Sequence, residues 1–480
     1  MHERSASALR RTVGAAIVLA LGVATASAQA RSSSAEDLAR RAVERRAVEA
    51  VIWGMPAVNA DLMLQAMLES TSAKPNEVVY WSRPVNWKNQ TLTPNPDSIY
   101  FMSFWNVKET GPLVIEIPPA LGGSIAGNIV NAWQMPLEDA GPEGADRGAG
   151  GRYLILPPGH KEPPPTGYIP LRSDTYGGFA LLRSNLASHG DADIARAVAY
   201  GKRVKVYPLA QAAQAPETRF TDAYDVLFDA TIRYDASFFG HLDRVVQGEP
   251  WLDRDRVMID QLKTLGIEKG KPFTPDPAMR ALLTEAAREA QALLSRRYDE
   301  GFPVINPGIR WFPAAMQEVI RAVQSGYADR DAYPVDARGV TYTLGFTGIK
   351  RLGTAQFYLM VNKDKDGSAF DGAATYRLRV PPDAPVRQYW SATAYDRDTH
   401  ALIRDLPRAS VASISPGMRT NADGSVDVYF GPRAPEGREA NWVPTDPNRK
   451  FELLFRLYGP EKPLFEKSWK LPDVEKISTR

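Results

Sequence analysis

Apolar residues recur at helical spacing near the start of the chain and at strand spacing over most of the rest. Leu38, Ala42, Val43, Ala47, Val51 and Ile52 mark one helical face, and Ser34 with Asp37 reads as the helix start. Gly54 and Pro56 in WGMP are expected to end or bend that helix, with a second short helix from Ala60 to Leu68. From Asn86 the pattern changes. Asn86, Asn89, Asn95, Asp97 and Ser98 are turn formers, and Pro94 and Pro96 bar a regular helix or a central strand, so the stretch predicts a shaped loop. Ile99 to Val107 and Leu113 to Ile117 then predict two strands joined by a turn at Gly111-Pro112. Up to Pro208, short runs such as Tyr153 to Leu156, Phe179 to Leu182 and Val204 to Tyr207 alternate with proline and glycine breaks, which indicates a β-sandwich or barrel. Gly141 to Gly151 is expected to be a mobile surface loop.

The character changes near Pro216. Tyr224, Leu227, Phe228 and Ile232, then Leu262 and Leu265, and above all Ala281 to Leu294, fit amphipathic helices. Strands return after about Thr341. Tyr376 to Val380 alternates strictly, Leu453, Phe455 and Leu457 alternate with Leu454, Arg456 and Tyr458, and Gln388 to Tyr395 and Val426 to Phe430 add two more. The spacing suits a second antiparallel sandwich. The expected class is α+β, mainly β: two jelly-roll-like β-sandwich domains, 31–215 and 336–480, with a helical region, 216–335, between them. No exact internal repeat is present.

Composition adds a compartment and removes several function classes. Arg10 and Arg11 precede an apolar run from Val13 to Val23 and small residues at Ala26 to Ala30, the pattern of a secretory signal over residues 1–30. A soluble periplasmic or secreted protein is expected, with no transmembrane segment after that leader. The leader holds three arginines and one acid of the chain's 58 basic and 56 acidic residues, so the remainder is formally neutral, with 55 of each. Neutrality argues against nucleic acid as a partner. The chain has no cysteine, which removes thiol nucleophiles and thiolate metal sites.

Several motifs together resemble a known family. WGMP, Asn95-Pro96-Asp97-Ser98-Ile99-Tyr100 and GRYLILPPG, followed by KDKDGSAFDG, YWSATAYD, NADGS, NWVP and FRLYGP, are similar in order and spacing to a bacterial family of two parts. That family is catalogued as domain of unknown function 1254 followed by domain of unknown function 1214. Ser98 stands where Thr is common and Trp53 where Tyr is common. The resemblance implies two β-sandwich domains with an intervening helical region, often in exported or envelope-associated proteins, and implies no known reaction.

For chemistry, Asn95, Asp97 and Tyr100 can orient a polar ligand, with Asp97 as acceptor or base and Tyr100 as donor; alternatively Asp97 only caps a turn. Tyr395 and Asp396, with Arg404 and Arg456, form a second candidate cluster. Arg456 interrupts an apolar strand, so it must face solvent or find a carboxylate, and a structural ion pair is the plainer reading. Asn362 to Gly367 opens like a calcium loop but has Ala373 at its twelfth position, which favours a hairpin turn. The histidines after the leader, His160, His189, His241 and His400, show no metal-ligand spacing. No G-x-S-x-G elbow, P-loop or dinucleotide glycine pattern occurs, so no metal and no cofactor is expected. Trp105 and Trp442 belong to a scattered set of tryptophans that can stack on sugars or serve as core.

Two readings follow. The first is a cofactor-independent hydrolase or lyase acting in an interdomain cleft, with Asp97, Tyr100, Tyr395 and Asp396 catalytic and Asn95, Trp105, Arg456 and Trp442 binding substrate. The second is a non-catalytic module for envelope glycans or another protein, in either case as a homo-oligomer. Convergence decides between them: Asp97, Tyr100, Asp396 and Arg456 lining one pocket favours the enzyme.

Overall fold

The computed structural model describes residues 34–345, 348–351 and 355–477; the expected leader, residues 1–30, lies outside them. Ser34 Oγ accepts the Asp37 N–H at 3.0 Å, and helix α1 (Ala35–Ser70) follows for 36 residues. Gly54 and Pro56 neither end it nor split it in two, contrary to the expectation. Proline removes the N–H that would reach the Ile52 carbonyl, and contacts from the surrounding protein hold the helix on either side of that gap. Gln134 Nε2 donates to the Pro56 carbonyl at 2.8 Å, and Gly54 admits Leu242, whose Cδ1 would lie 2.9 Å from an added Cβ. WGMP is therefore a packing site inside one helix. Its length and hydropathy would suit a membrane crossing, yet 89% of its most apolar stretch is buried inside the protein, so α1 is a core helix.

Residues 42–480 form one compact unit. Helix takes 28% of the chain and strand 25%, so the fold is mixed rather than mainly β. A six-stranded sheet runs in the order Phe220–Asp222, Val78–Tyr80, β1 (Ser98–Asn106), β2 (Gly177–Asn185), Ile125–Asn131, Pro136–Ala140. A four-stranded sheet, Lys205–Pro208, Leu113–Ile117, Gly151–Leu156, Ile169–Arg172, shares a core with it. The turn at Gly111-Pro112 thus passes the chain between sheets instead of closing a hairpin. Toward the C-terminus a five-stranded sheet runs Phe312–Pro313, β3 (Gln356–Val361), then Phe451–Tyr458, Trp390–Asp396 and Ser410–Ala412; in chain order the last-named pair of long strands are β4 (Trp390–Asp396) and β5 (Phe451–Tyr458). A second four-stranded sheet, Trp442–Pro444, Val426–Gly431, Thr375–Val380, Glu475–Ile477, shares its core.

Strand alternation explains how each large sheet serves two cores at once. On β1, Ile99, Phe101 and Trp105 pack toward the smaller sheet, whereas Tyr100, Met102 and Phe104 pack into the core that contains α1. On β5, Phe451, Leu453, Phe455 and Leu457 face the smaller sheet, and Leu454 joins the α1 core. Successive side chains point to opposite faces, so the inner faces of both large sheets feed the same central core.

Between the sheets lie helices Ser237–Gly248, Arg256–Lys263, Pro277–Glu300, Gln317–Gln324 and Val335–Thr343. The predicted helix over Ala281 to Leu294 is the middle of Pro277–Glu300, where Asp276 caps Met279 N–H at 2.8 Å. The stretch Tyr224 to Ile232 is not helical: Phe228–Asp229 pairs in parallel with Asn89–Gln90. After the short strand Phe312–Pro313 the next strand begins at Gln356, because Val335–Thr343, where the return was expected, is helix. Gly141 to Gly151 is organised rather than loose, since the buried Asp146 carboxylate accepts Gly141 N–H and Gly150 N–H and the Tyr153 hydroxyl.

The middle of α1 is anchored by Trp53, whose Nε1 donates to Asp255 Oδ1 at 3.0 Å. The other oxygen, Oδ2, is buried without a hydrogen bond, and burial raises this carboxyl's pKa. An acid whose folded pKa is raised costs stability when ionised, and the cost fades as pH falls through that folded value. Asp255→Asn keeps the oxygen that Trp53 uses. It is expected to raise the urea midpoint at pH 7, with a gain that shrinks as pH is lowered toward the ordinary carboxylate range; a pH-independent difference would rule the carboxylate out as its source.

Candidate functional site

The inner faces of the two large sheets present the same arrangement twice. On the N-terminal sheet Tyr100 of β1 lies directly across from Arg183 of β2, and Met102 across from Leu181. On the C-terminal sheet Tyr358 of β3 lies across from Arg456 of β5, and Met360 across from Leu454. Each sheet therefore carries a Tyr–Arg pair and, one pleat repeat along, a Met–Leu pair. All eight side chains line one cavity of about 50 Å³.

The loop before β1 closes the tyrosine end. Asn95 is saturated: its N–H donates to the Tyr100 hydroxyl at 2.8 Å, its Nδ2 to the hydroxyls of Tyr458 (2.8 Å) and Tyr389 (3.1 Å), and its Oδ1 accepts Asp97 N–H at 3.0 Å. Arg456 is 1% exposed. Its Nη2 donates to the Thr93 carbonyl at 2.8 Å and to the Tyr395 hydroxyl at 2.7 Å, and its Nη1 to Thr393 Oγ1 at 3.1 Å. Tyr395 in turn donates to the Pro94 carbonyl at 2.6 Å. Arg183, 6% exposed, donates to Asn128 Oδ1 at 3.2 Å and lies 3.5 Å from the Tyr100 oxygen.

What is missing defines the site. Among the described residues no carboxylate forms an ion pair with Arg183 or Arg456. A buried charge normally has a paired partner. Burial opposes the charge on each guanidinium, but the surrounding tyrosine oxygens more than offset it, and both pKa values stand above the ordinary arginine value. Arg456 Nε is buried with no acceptor. The Tyr100 oxygen receives the Asn95 N–H, while its own proton has no acceptor among the described residues. Tyr358 and Tyr458 hydroxyls meet at 3.4 Å, and Tyr458 already accepts from Asn95, so whichever donates, the other's proton is left over. Burial raises the pKa of Tyr389, Tyr395 and Tyr458, which keeps them protonated. The polar end of the cavity thus offers donors and positive charge.

Of the four residues whose convergence would favour an enzyme, Tyr100 and Arg456 line this cavity and Asp97 and Asp396 do not; Asn95 and Tyr395 stand behind it, bonded to the Tyr100 hydroxyl and to Arg456. Arg456 differs from its expected surroundings: it neither faces solvent nor finds a carboxylate. Asp97 turns the other way. Its Oδ2 accepts Ser410 Oγ at 2.8 Å, its Oδ1 stands 3.3 Å from His189 Nε2, and it lines a separate cavity of about 350 Å³ with Trp87 and Arg408. Asp396 is a turn cap: Oδ1 accepts Asp398 and Thr399 N–H, and Oδ2 accepts Arg449 Nη1 at 2.6 Å. Arg404 goes to Gln90 and Asp229. Trp105 is core between the two N-terminal sheets, and Trp442 donates Nε1 to the Gly431 carbonyl within its own sheet. In the Asn362 to Gly367 loop, Asp364 Oδ1 accepts Asp366 and Ser368 N–H, and Lys363 bridges antiparallel to Ala369, which makes the hairpin.

Sequence reasoning passed over Arg183, Tyr358 and Tyr458. It also passed over a neighbouring cluster in which fully buried Glu452 accepts His400 Nδ1–H and the Tyr298 hydroxyl, each at 2.7 Å. His400 and Tyr298 line a further cavity of about 270 Å³ with Arg397.

Two family models match the chain: residues 75–208 match one described as a protein of unknown function, DUF1254, and residues 355–462 match another so described, DUF1214. The chain belongs to this two-part family. The DUF1254 segment carries Tyr100 and Arg183, and the DUF1214 segment carries Tyr358 and Arg456, so the cavity is lined from both. The chain is similar in fold to the VPA0106 protein of Vibrio parahaemolyticus, at 17% identity and a TM-score of 0.56, covering 91% of this chain and 100% of that one. A weaker likeness, to an uncharacterised protein of Burkholderia cenocepacia, has 11% identity and a TM-score of 0.40 over 91% and 95% of the two chains. No curated protein matches.

Proposed function

We propose that this DUF1254–DUF1214 protein binds a small organic anion in the cavity between its two large sheets. The observation that carries the reading is the pair of buried arginines that have no carboxylate partner among the described residues, one of them with an idle Nε. An anion would supply the missing charge and accept the left-over protons of Arg456, Tyr100 and the Tyr358–Tyr458 pair.

Binding is favoured over hydrolase or lyase chemistry, because the two carboxylates assigned to catalysis, Asp97 and Asp396, are engaged outside this cavity. A glycan platform loses its support in the same way, since Trp105 and Trp442 are engaged in their own sheets. We take each pair of sheets with a common core as a jelly-roll-like sandwich, and the chain as an exported, periplasmic or secreted homo-oligomer; the leader-like pattern of residues 1–30 supports the export.

The test is thermal unfolding with acetate, phosphate or sulfate against chloride at equal ionic strength. A ligand at a hundred times its Kd adds about 2.7 kcal/mol, so saturation with a suitable anion is expected to raise the Tm by several degrees. Equal Tm values in all four salts would overturn the reading.

A further inference from the structure

The two Met–Leu pairs say what the anion is attached to. They sit on the same inner faces as the Tyr–Arg pairs, two residues further along each strand, which is about 7 Å. Met102, Leu181, Met360 and Leu454 all line the cavity that the arginines line. Both sheets therefore place charge and donors at one end and thioether and aliphatic groups at the other. A ligand that fills this volume needs an anionic head and an apolar tail.

We propose that the ligand is a short-chain monocarboxylic acid, its carboxylate between Arg183 and Arg456 and its alkyl chain between the two Met–Leu pairs; this rests on the anion-binding reading above. A planar carboxylate suits the forked donors of guanidinium groups. Inorganic phosphate would occupy the arginine end and leave the apolar end unfilled. A dicarboxylate would press its second charge against methionine and leucine, where nothing among the named lining groups repays its desolvation. Size sets the chain length. One water needs about 10–15 Å³ of such space, so a cavity of about 50 Å³ takes roughly four water-sized groups. With about three of those groups taken by the carboxylate, the tail is about one or two carbons long.

Calorimetric titration of the full-length protein with acetate, propionate, octanoate, succinate and inorganic phosphate tests the class. Each buried methylene strengthens binding about fourfold, so propionate is expected to bind about fourfold more tightly than acetate. Octanoate is expected to show no further gain, and succinate to bind at least about tenfold more weakly than propionate. Leu454→Asn is expected to flatten the acetate-to-propionate preference while acetate still binds. Equal affinity for acetate and propionate, or phosphate or succinate binding more tightly than propionate, would overturn the monocarboxylate assignment and leave anion binding standing. Failure of all five to bind would remove both.

Discussion

Glu452→Ala is expected to lower the free energy of unfolding by about 3–5 kcal/mol, the range for removing one partner from a buried charged network. The carboxylate is fully buried and holds three groups: His400 Nδ1 and the Tyr298 hydroxyl, each at 2.7 Å, and Arg397 Nε at 3.9 Å. Deleting it leaves donors unpaired where water does not replace it. The loss spreads through the backbone. His400 has φ +55° and Thr93 φ +38°, a conformation that costs a residue with a side chain, most of all a β-branched one. The Thr93 N–H donates to the His400 carbonyl at 2.7 Å, and the Thr93 carbonyl receives Arg456. Glu452 thus helps to hold two strained residues, of which Thr93 lines the cavity between the large sheets. Urea denaturation reads the effect, with Glu452→Gln expected to fall between alanine and wild type because its amide oxygen keeps one acceptor. An unchanged midpoint in Glu452→Ala would show that the network adds nothing to the fold.

The parts of this architecture that could be read in advance are those fixed by local periodicity. Leu113 to Ile117 and the alternation over Leu453 to Tyr458 are strands because their side chains must divide between two faces. The same rule, applied more strictly, separates true from false site residues. Tyr100 and Trp105 are an odd number of positions apart on β1, and Tyr395 and Asp396 are adjacent on β4, so neither pair can share a face. Pleat alone thereby sets Trp105, expected to bind substrate, apart from Tyr100, and Asp396, expected to be catalytic, apart from Tyr395. Other features have no local signal. Arg183 reads as an ordinary strand-end charge in LLRSN until its register opposite Tyr100 is known, and Glu452 meets His400 across 52 residues of chain. Pro56 reads as a break because the contacts that hold the helix there, such as Gln134 Nε2 on the Pro56 carbonyl from 78 residues away, have no local signal. The Asn95-to-Tyr100 loop was recognised as important from composition, but the opposite directions of Asn95 and Asp97 follow from contacts that only the assembled sheets provide.

Arg456→Met is expected to weaken binding of the anion at least about thirtyfold, the lower end of the loss for truncating a buried, hydrogen-bonded charge that faces another charge. Methionine preserves much of the volume, and the ligand-free melting curve separates lost affinity from lost fold. Arg456→Lys is expected to recover only part of the loss, since a point charge cannot reproduce the fork that spans Thr93, Tyr395 and Thr393 while leaving Nε for the ligand. Arg183 occupies the matching cross-strand position on the other sheet, so Arg183→Met is expected to cost a comparable factor. The double variant is expected to cost less than the product of the two, because both guanidiniums act on one carboxylate and the second has little left to hold. Losses that multiply fully would mean two independent anion sites, and affinity within about threefold of wild type in Arg456→Met would separate the buried charge from binding altogether.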